Sequence, residues 1–338
     1  MTALAAPVRP LLADDPADSA AAARRLAEGA VVANAFANFY VITTRGDAET
    51  VRRVNAMKGR PPGQVGSITG PPAALWEAWN LDRLPDGLDP RGLRTLVDTF
   101  FTLGPFGFRG PAAAAVPPHL TFPEGGITTA QVIAPGYACP SNRFLGQARR
   151  ACADELLYIT SANRSRHLTG ADDSPAHWRA DGLVAEFGDE DGFVLLAHSD
   201  EAAARARYPG YLPMSTTILG FHTIVRRPGD PRPHLVLERH GSMPISNVRA
   251  VLAGLGFGLV IGPKAETRLE LRDYSLRLSD RTTGERPDER RTQDRADRPE
   301  FQRHHGDRAA GSLRPNQRSH RSPLHLPLRA DADDQRDA

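Results

Sequence analysis

Apolar residues along this chain switch between helical spacing and short unbroken runs. Residues 18–29 (DSAAAARRLAEG) predict a helix, with an Asp/Ser start, an alanine-rich body and a glycine stop. AVVANAF and FYVITT read as two strands in close succession. Over 46–58 (GDAETVRRVNAMK), Val51, Val54 and Met57 recur at three-residue spacing, a helix capped by Gly59 and stopped by Pro61. Residues 61–72 read as a loop, LWEAWNL as a short helix, and LRTLVDTFFTL as a helix ending at Gly104-Pro105. Gly, Pro and Ala dominate 105–126, which predicts a loop. TTAQVIAP reads as a strand, NRFLGQARRACADE as an amphipathic helix, and LLYITSAN as a buried strand running into a turn. GLVAEFG and GFVLLAH are further strand candidates, DEAAARARY a helix, and STTILGFHTIVRR with PHLVLERHG a closing pair of strands. ISNVRAVLAGLG predicts a last helix and RLELRDY a last short strand. Strands and helices without strict βαβ alternation predict an α+β or mixed-sheet α/β domain over 18–274.

The pattern stops after Tyr274. Residues 275–338 hold 14 Arg, 12 acids and one aromatic, Phe301, with no Val or Ile. Such a segment buries too little apolar area to offset its ordering entropy, which predicts a disordered Arg-rich tail. Its texture also resembles a GC-rich gene read out of frame, which would make it an artefact of the sequence. An RNA-binding tail is the sharper alternative, and the interleaved acids weigh against it.

Composition narrows the picture. The 338 residues are 40% hydrophobic, enough for one large or two modest domains. A net charge of +2 gives no whole-molecule argument for nucleic acid. Lys58 and Lys264 are the chain's two lysines; the remaining basic side chains are arginine, so a compact ammonium at either place stands out. Cys139 and Cys152 have neither CxxC spacing nor a histidine cluster, which argues against zinc and a disulfide framework and fits a reducing compartment. No signal-like apolar core opens the chain, and VLAGLGFGLVIG is too short to span a bilayer. The expectation is a soluble, cytoplasmic protein with no membrane partner.

Three stretches could carry chemistry. Lys58-Gly59-Arg60-Pro61 reads either as a helix ending or as a clamp for an anion. Tyr158-Ile159-Thr160-Ser161-Ala162-Asn163 puts small hydroxyl and amide groups where an apolar strand ends, a place where α/β folds present ligands, though an ordinary turn needs the same residues. Ser215-Thr216-Thr217-Ile218-Leu219 sets hydroxyls at the head of a β-branched strand, as plain strand propensity would too.

In this order and at these separations, the three stretches resemble the YrdC/Sua5 family of threonylcarbamoyl-adenylate synthases. The resemblance covers about residues 20–260 and opens at Leu26-Ala27-Glu28-Gly29-Ala30-Val31-Val32-Ala33. Lys58 and Arg60 match the family's KxR, Ser161 and Asn163 its SxN, and Thr216-Thr217-Ile218 its Ser-Thr-Ile/Val; Leu237-Glu238-Arg239-His240-Gly241 resembles its closing turn. The resemblance implies a twisted, largely parallel α/β sheet around a concave, positive cavity. It implies an enzyme that joins threonine, bicarbonate and ATP, with Mg2+ accompanying the ATP, and releases pyrophosphate, the product feeding a tRNA adenosine modification. Lys58 and Arg60 would be catalytic and hold the triphosphate, with Ser161, Asn163, Thr216 and Arg239 positioning the nucleotide.

The departures lie on the amino-acid side. Where the family has Pro-Thr-Asp-Thr-x-Tyr, this chain has Ala35-Phe36-Ala37-Asn38-Phe39-Tyr40; its Pro-Gly-Pro-x-Thr becomes Leu103-Gly104-Pro105-Phe106-Gly107, and its arginine before Val-Pro falls at Ile133. Asn38 and Tyr40 would line the acceptor pocket. A pocket stripped of hydrogen-bonding groups binds a small polar amino acid poorly, so the acceptor is expected to be threonine held differently or a larger, less polar amine. The alternative is a non-catalytic module that binds nucleotide or double-stranded RNA.

Overall fold

The structure is a computed structural model in which residues 10–165, 175–270 and 272 are described. The chain divides into two units, residues 1–283 and 284–338. The second unit, and with it the expected tail beyond Tyr274, lies outside the described residues.

The described part is a mixed α/β sheet. Its strands are β1 (Leu11–Leu12), β2 (Val31–Phe36), β3 (Phe39–Arg45), β4 (Ser67–Thr69), β5 (Phe106–Pro111), β6 (Thr121–Glu124), β7 (Ile127–Ala134), β8 (Leu157–Ser161), β9 (Phe193–Ala197), β10 (Ile218–Arg227), β11 (Asp230–Arg239) and β12 (Gly258–Ile261). They run β1-β9-β2-β3-β8-β4-β7-β5-β10-β11-β12, with β6 on β7. Parallel pairs (β1–β9, β9–β2, β4–β7, β5–β10, β11–β12) are interleaved with antiparallel ones. Seven helices accompany the sheet among the described residues: α1 (Pro16–Ala27), α2 (Ala48–Met57), α3 (Pro90–Leu103), α4 (Asn142–Ala151), α5 (Ala180–Phe187), α6 (Glu201–Arg207) and α7 (Ile245–Gly254).

Strands β2 and β3 are buried along almost their whole length, which explains why they read as unbroken apolar runs. Asp15, Asp47, Asp89 and Asp200 each accept backbone N–H groups at a helix start, so α1, α2, α3 and α6 begin where an acidic cap stands in the sequence.

Four sequence expectations change. Residues 105–126 are not a loop but carry β5 and β6. The glycines there serve close packing: a Cβ on Gly110 would lie 2.0 Å from the Phe221 ring, and one on Gly107 2.9 Å from Ile218. GLVAEFG is helix α5 rather than a strand, because Leu183 and Phe187, four apart, form its buried face while Val184 stays exposed. Residues 268–270 of the expected last strand are irregular, and an edge of the sheet is β12, within the glycine-rich run. β4 likewise lies inside the expected 61–72 loop.

Candidate functional site

Helix α2 ends in a Schellman motif. The Arg60 N–H bonds the Asn55 carbonyl at 2.8 Å and the Gly59 N–H that of Ala56 at 2.9 Å, with Gly59 at φ 67°. The helix-stop reading of KGRP is therefore correct. It is also incomplete, because the Lys58 side chain turns inward. It is fully buried, and Nζ donates to the carbonyl oxygens of Ser161 and, at 2.6 Å, Asn163. The Lys58 carbonyl accepts the Ser165 N–H at 2.8 Å. Burial, then the Arg60 guanidinium, push the Lys58 amine well below its ordinary range, opposed by Glu186.

Arg60 emerges on the other side. Its guanidinium donates to the hydroxyl of Thr160 and to Ser161 Oγ at 3.4 Å, while its buried Nε has no hydrogen-bond partner. Across the cleft, Arg239 donates to the Thr216 carbonyl and hydroxyl, both at 2.7 Å. Gly241 permits this closeness: a Cβ there would meet Ser215 O at 2.3 Å.

These groups surround a cavity of about 170 Å3. Among the described residues its wall includes Arg60, Ser161, Thr216 and Arg239, and no Asp, Glu or His. The hydroxyl oxygens on the wall already accept N–H groups: Ser161 from Arg60, Ser215 from the Ala176 amide at 2.9 Å, Thr216 from Arg239. An oxygen that accepts inside the protein has its proton to offer elsewhere, so the wall presents donors and positive charge together, the chemistry of an oxyanion site.

Not every expected residue reaches this wall. Lys58 and Asn163 lie beneath it; the Asn163 amide donates to the Arg164 carbonyl at 2.7 Å. Tyr40 is a correction. Side chains alternate along β3, so Phe39 and Val41 face the cavity and Tyr40 faces the other way, its hydroxyl donating to Glu201 at 3.0 Å and accepting from the His198 amide at 3.2 Å. Asn38 is corrected likewise. It sits in the two-residue β2–β3 turn and donates to the Tyr211 carbonyl at 3.1 Å. Sequence reading missed Ser67, Gln64 and Gln131 on the wall. Gln131 left a signal, as a lone amide inside an otherwise apolar run. Ile133, where the family carries arginine, does line the cavity, with Phe39, Val41, Val65 and Ile159.

Small-molecule sites usually enclose about 300–1,000 Å3. The enclosed space here suits phosphate groups, not a whole ATP. Magnesium normally takes one or two carboxylates besides the substrate's phosphates, and the wall offers none among the described residues. Glu124, His222 and Glu238 do bring ligand atoms within 4.8 Å of one another, off the wall. Arg109 Nη1 already lies 2.8 Å from Glu124 and 3.6 Å from Glu238, filling the place of a cation. The described residues therefore do not fit a magnesium ion held by the protein.

No family model matches the chain, and no curated protein does. Among solved structures, the chain is similar to P. abyssi Sua5, including the form complexed with L-threonine (18% identity, 76% of this chain and 65% of that one, TM-score 0.49) and a variant form (20%, 76% and 62%, 0.49). It is also similar to a hypothetical protein from Streptococcus mutans (15%, 71% and 94%, 0.49) and to E. coli YciO (14%, 62% and 86%, 0.43). The chain spans less than two thirds of the length of the Sua5 proteins.

Proposed function

We propose that the cavity binds the phosphates of ATP and that the protein is an adenylate-forming enzyme of the YrdC/Sua5 kind, with an altered acceptor side. The observation that carries this reading is the cationic, donor-rich wall: two guanidiniums and the hydroxyls of Ser161, Ser215 and Thr216, with no carboxylate among the described residues to repel a polyphosphate. Arg60 and Arg239, each fixed on hydroxyls before any ligand arrives, would neutralise charge as pyrophosphate departs. Lys58 acts indirectly, holding the Ser161–Asn163 turn in place. The apolar residues Phe39, Val41 and Ile133 would meet the acceptor, favouring an amine less polar than threonine.

One observation favours a binding module instead. Among the described residues, the wall holds no carboxylate or imidazole to take a proton from an attacking amine.

The test is pyrophosphate release by the full chain from ATP, Mg2+ and bicarbonate, with and without threonine or larger amino acids, and mass spectrometry for the adenylate. Amine-dependent release, abolished by Arg60→Ala, supports the enzyme. Binding of ATP without release supports the module, and no binding of ATP rejects both.

A further inference from the structure

A chain of buried side chains leads to one more cavity hydroxyl. Arg109 on β5 is 7% exposed, Gln131 on β7 8%, and Ser67 on β4 5%. Arg109 Nη2 donates to Gln131 Oε1 at 3.0 Å, and Gln131 Nε2 donates to Ser67 Oγ at 2.6 Å. Gln131 and Ser67 line the cavity; Arg109 stands behind them, held by Glu124.

The order of donors and acceptors along this chain is forced. A guanidinium has only N–H donors, so the Gln131 atom facing it must be the amide oxygen. The Gln131 nitrogen then faces Ser67, and the Ser67 oxygen must accept. Its proton is left for the cavity, as with Ser161, Ser215 and Thr216. A carboxylate at 131 would reverse the last link, because Ser67 would then donate to it.

We propose that Arg109, through Gln131, fixes Ser67 as a hydrogen-bond donor to an oxyanion oxygen of the bound ligand. Ser67 is the contacting group; Gln131 and Arg109 are positioning residues. This rests on the oxyanion reading of the cavity. The oxyanion is a phosphoryl group or bicarbonate, which share this chemistry.

The experiment is titration calorimetry of the full chain with pyrophosphate and, separately, with bicarbonate. The proteins are wild type, Ser67→Ala, Gln131→Glu and the double variant. Gln131→Glu keeps an acceptor for Arg109, so the core charge stays paired, and thermal melts confirm that each variant folds. Ser67→Ala is expected to weaken one of the two anions by about 10- to 100-fold, the range for a hydrogen bond to a charged group. Gln131→Glu is expected to weaken it at least as much, and adding Ser67→Ala to Gln131→Glu should change little more. Loss confined to pyrophosphate assigns the phosphoryl group, and loss confined to bicarbonate assigns the carbonate. Wild-type affinity in Ser67→Ala, or full additivity in the double variant, overturns the relay while leaving the cavity reading intact. A wild-type protein that binds neither anion overturns the cavity reading itself and the relay with it.

Discussion

Lys58 Nζ lies 2.6 Å from the Asn163 carbonyl oxygen, so the end of α2 is tied to the exit of β8 by a side chain with no exposure to water. The sequence singled out Lys58 for its rarity and its place in KxR. Its geometry is that of an internal staple, and the residue two positions on, Arg60, reaches the cavity.

Replacing the staple should be felt as instability. Lys58→Ala removes the ammonium donor from the Asn163 carbonyl, leaves the Ser161 carbonyl with the Asn163 N–H at 3.0 Å, and opens a void, and is expected to cost about 2–5 kcal/mol. Lys58→Met, which fills the volume but donates nothing, should cost less. Urea denaturation measures both; equal stability of Lys58→Ala and wild type would refute the staple.

Arg60→Ala should behave oppositely. Its guanidinium sits at the wall on two hydroxyls rather than in the core, so pyrophosphate affinity is expected to fall by about 10-fold or more while stability changes by about 1 kcal/mol. Calorimetry and melting temperature, compared for Arg60→Ala and Lys58→Met, separate the two roles.

Acid should destabilise the fold partly through His198. Burial pushes its imidazole from 6.5 down to about 4. The unfolded chain therefore binds this proton at higher pH than the folded one. The contribution is fully present above about pH 6.5 and is lost as pH falls towards 4. His198→Gln is expected to show a shallower decline in stability between these limits, measured by urea midpoints. His177, also held low by burial, keeps part of the slope in the variant. Superimposable pH profiles would discard His198 as a contributor.

Gly110→Ala tests why a glycine-rich segment can be a central strand. The added Cβ would press into the Phe221 ring, which packs edge-on against Trp79 at 5.0 Å between centroids. A loss of about 1–3 kcal/mol is expected from overpacking. Unchanged stability would mean that the ring has room to move.

The sequence by itself determined what depends on local pattern. Acidic caps, the Gly59 stop and three-residue apolar spacing set α1 and α2; unbroken apolar runs set β2, β3 and β8. It also named Arg60, Ser161 and Thr216, because hydroxyls at strand ends and a cation after a helix are written in consecutive residues; Arg239 was named only by the resemblance of its turn to the family's. The tertiary structure decided everything that depends on which face a side chain takes and what it meets. A one-residue alternation on β3 turned Tyr40 away from the cavity and Phe39 and Val41 towards it. Gly107 and Gly110 became strand residues because Ile218 and Phe221, far along the chain, fill the space above them. Gln131 and Ser67 joined the wall through pairings of β4 with β7 and β7 with β5 that no local spacing encodes. Periodicity is a property of neighbours in sequence, whereas a cavity is made by neighbours in space.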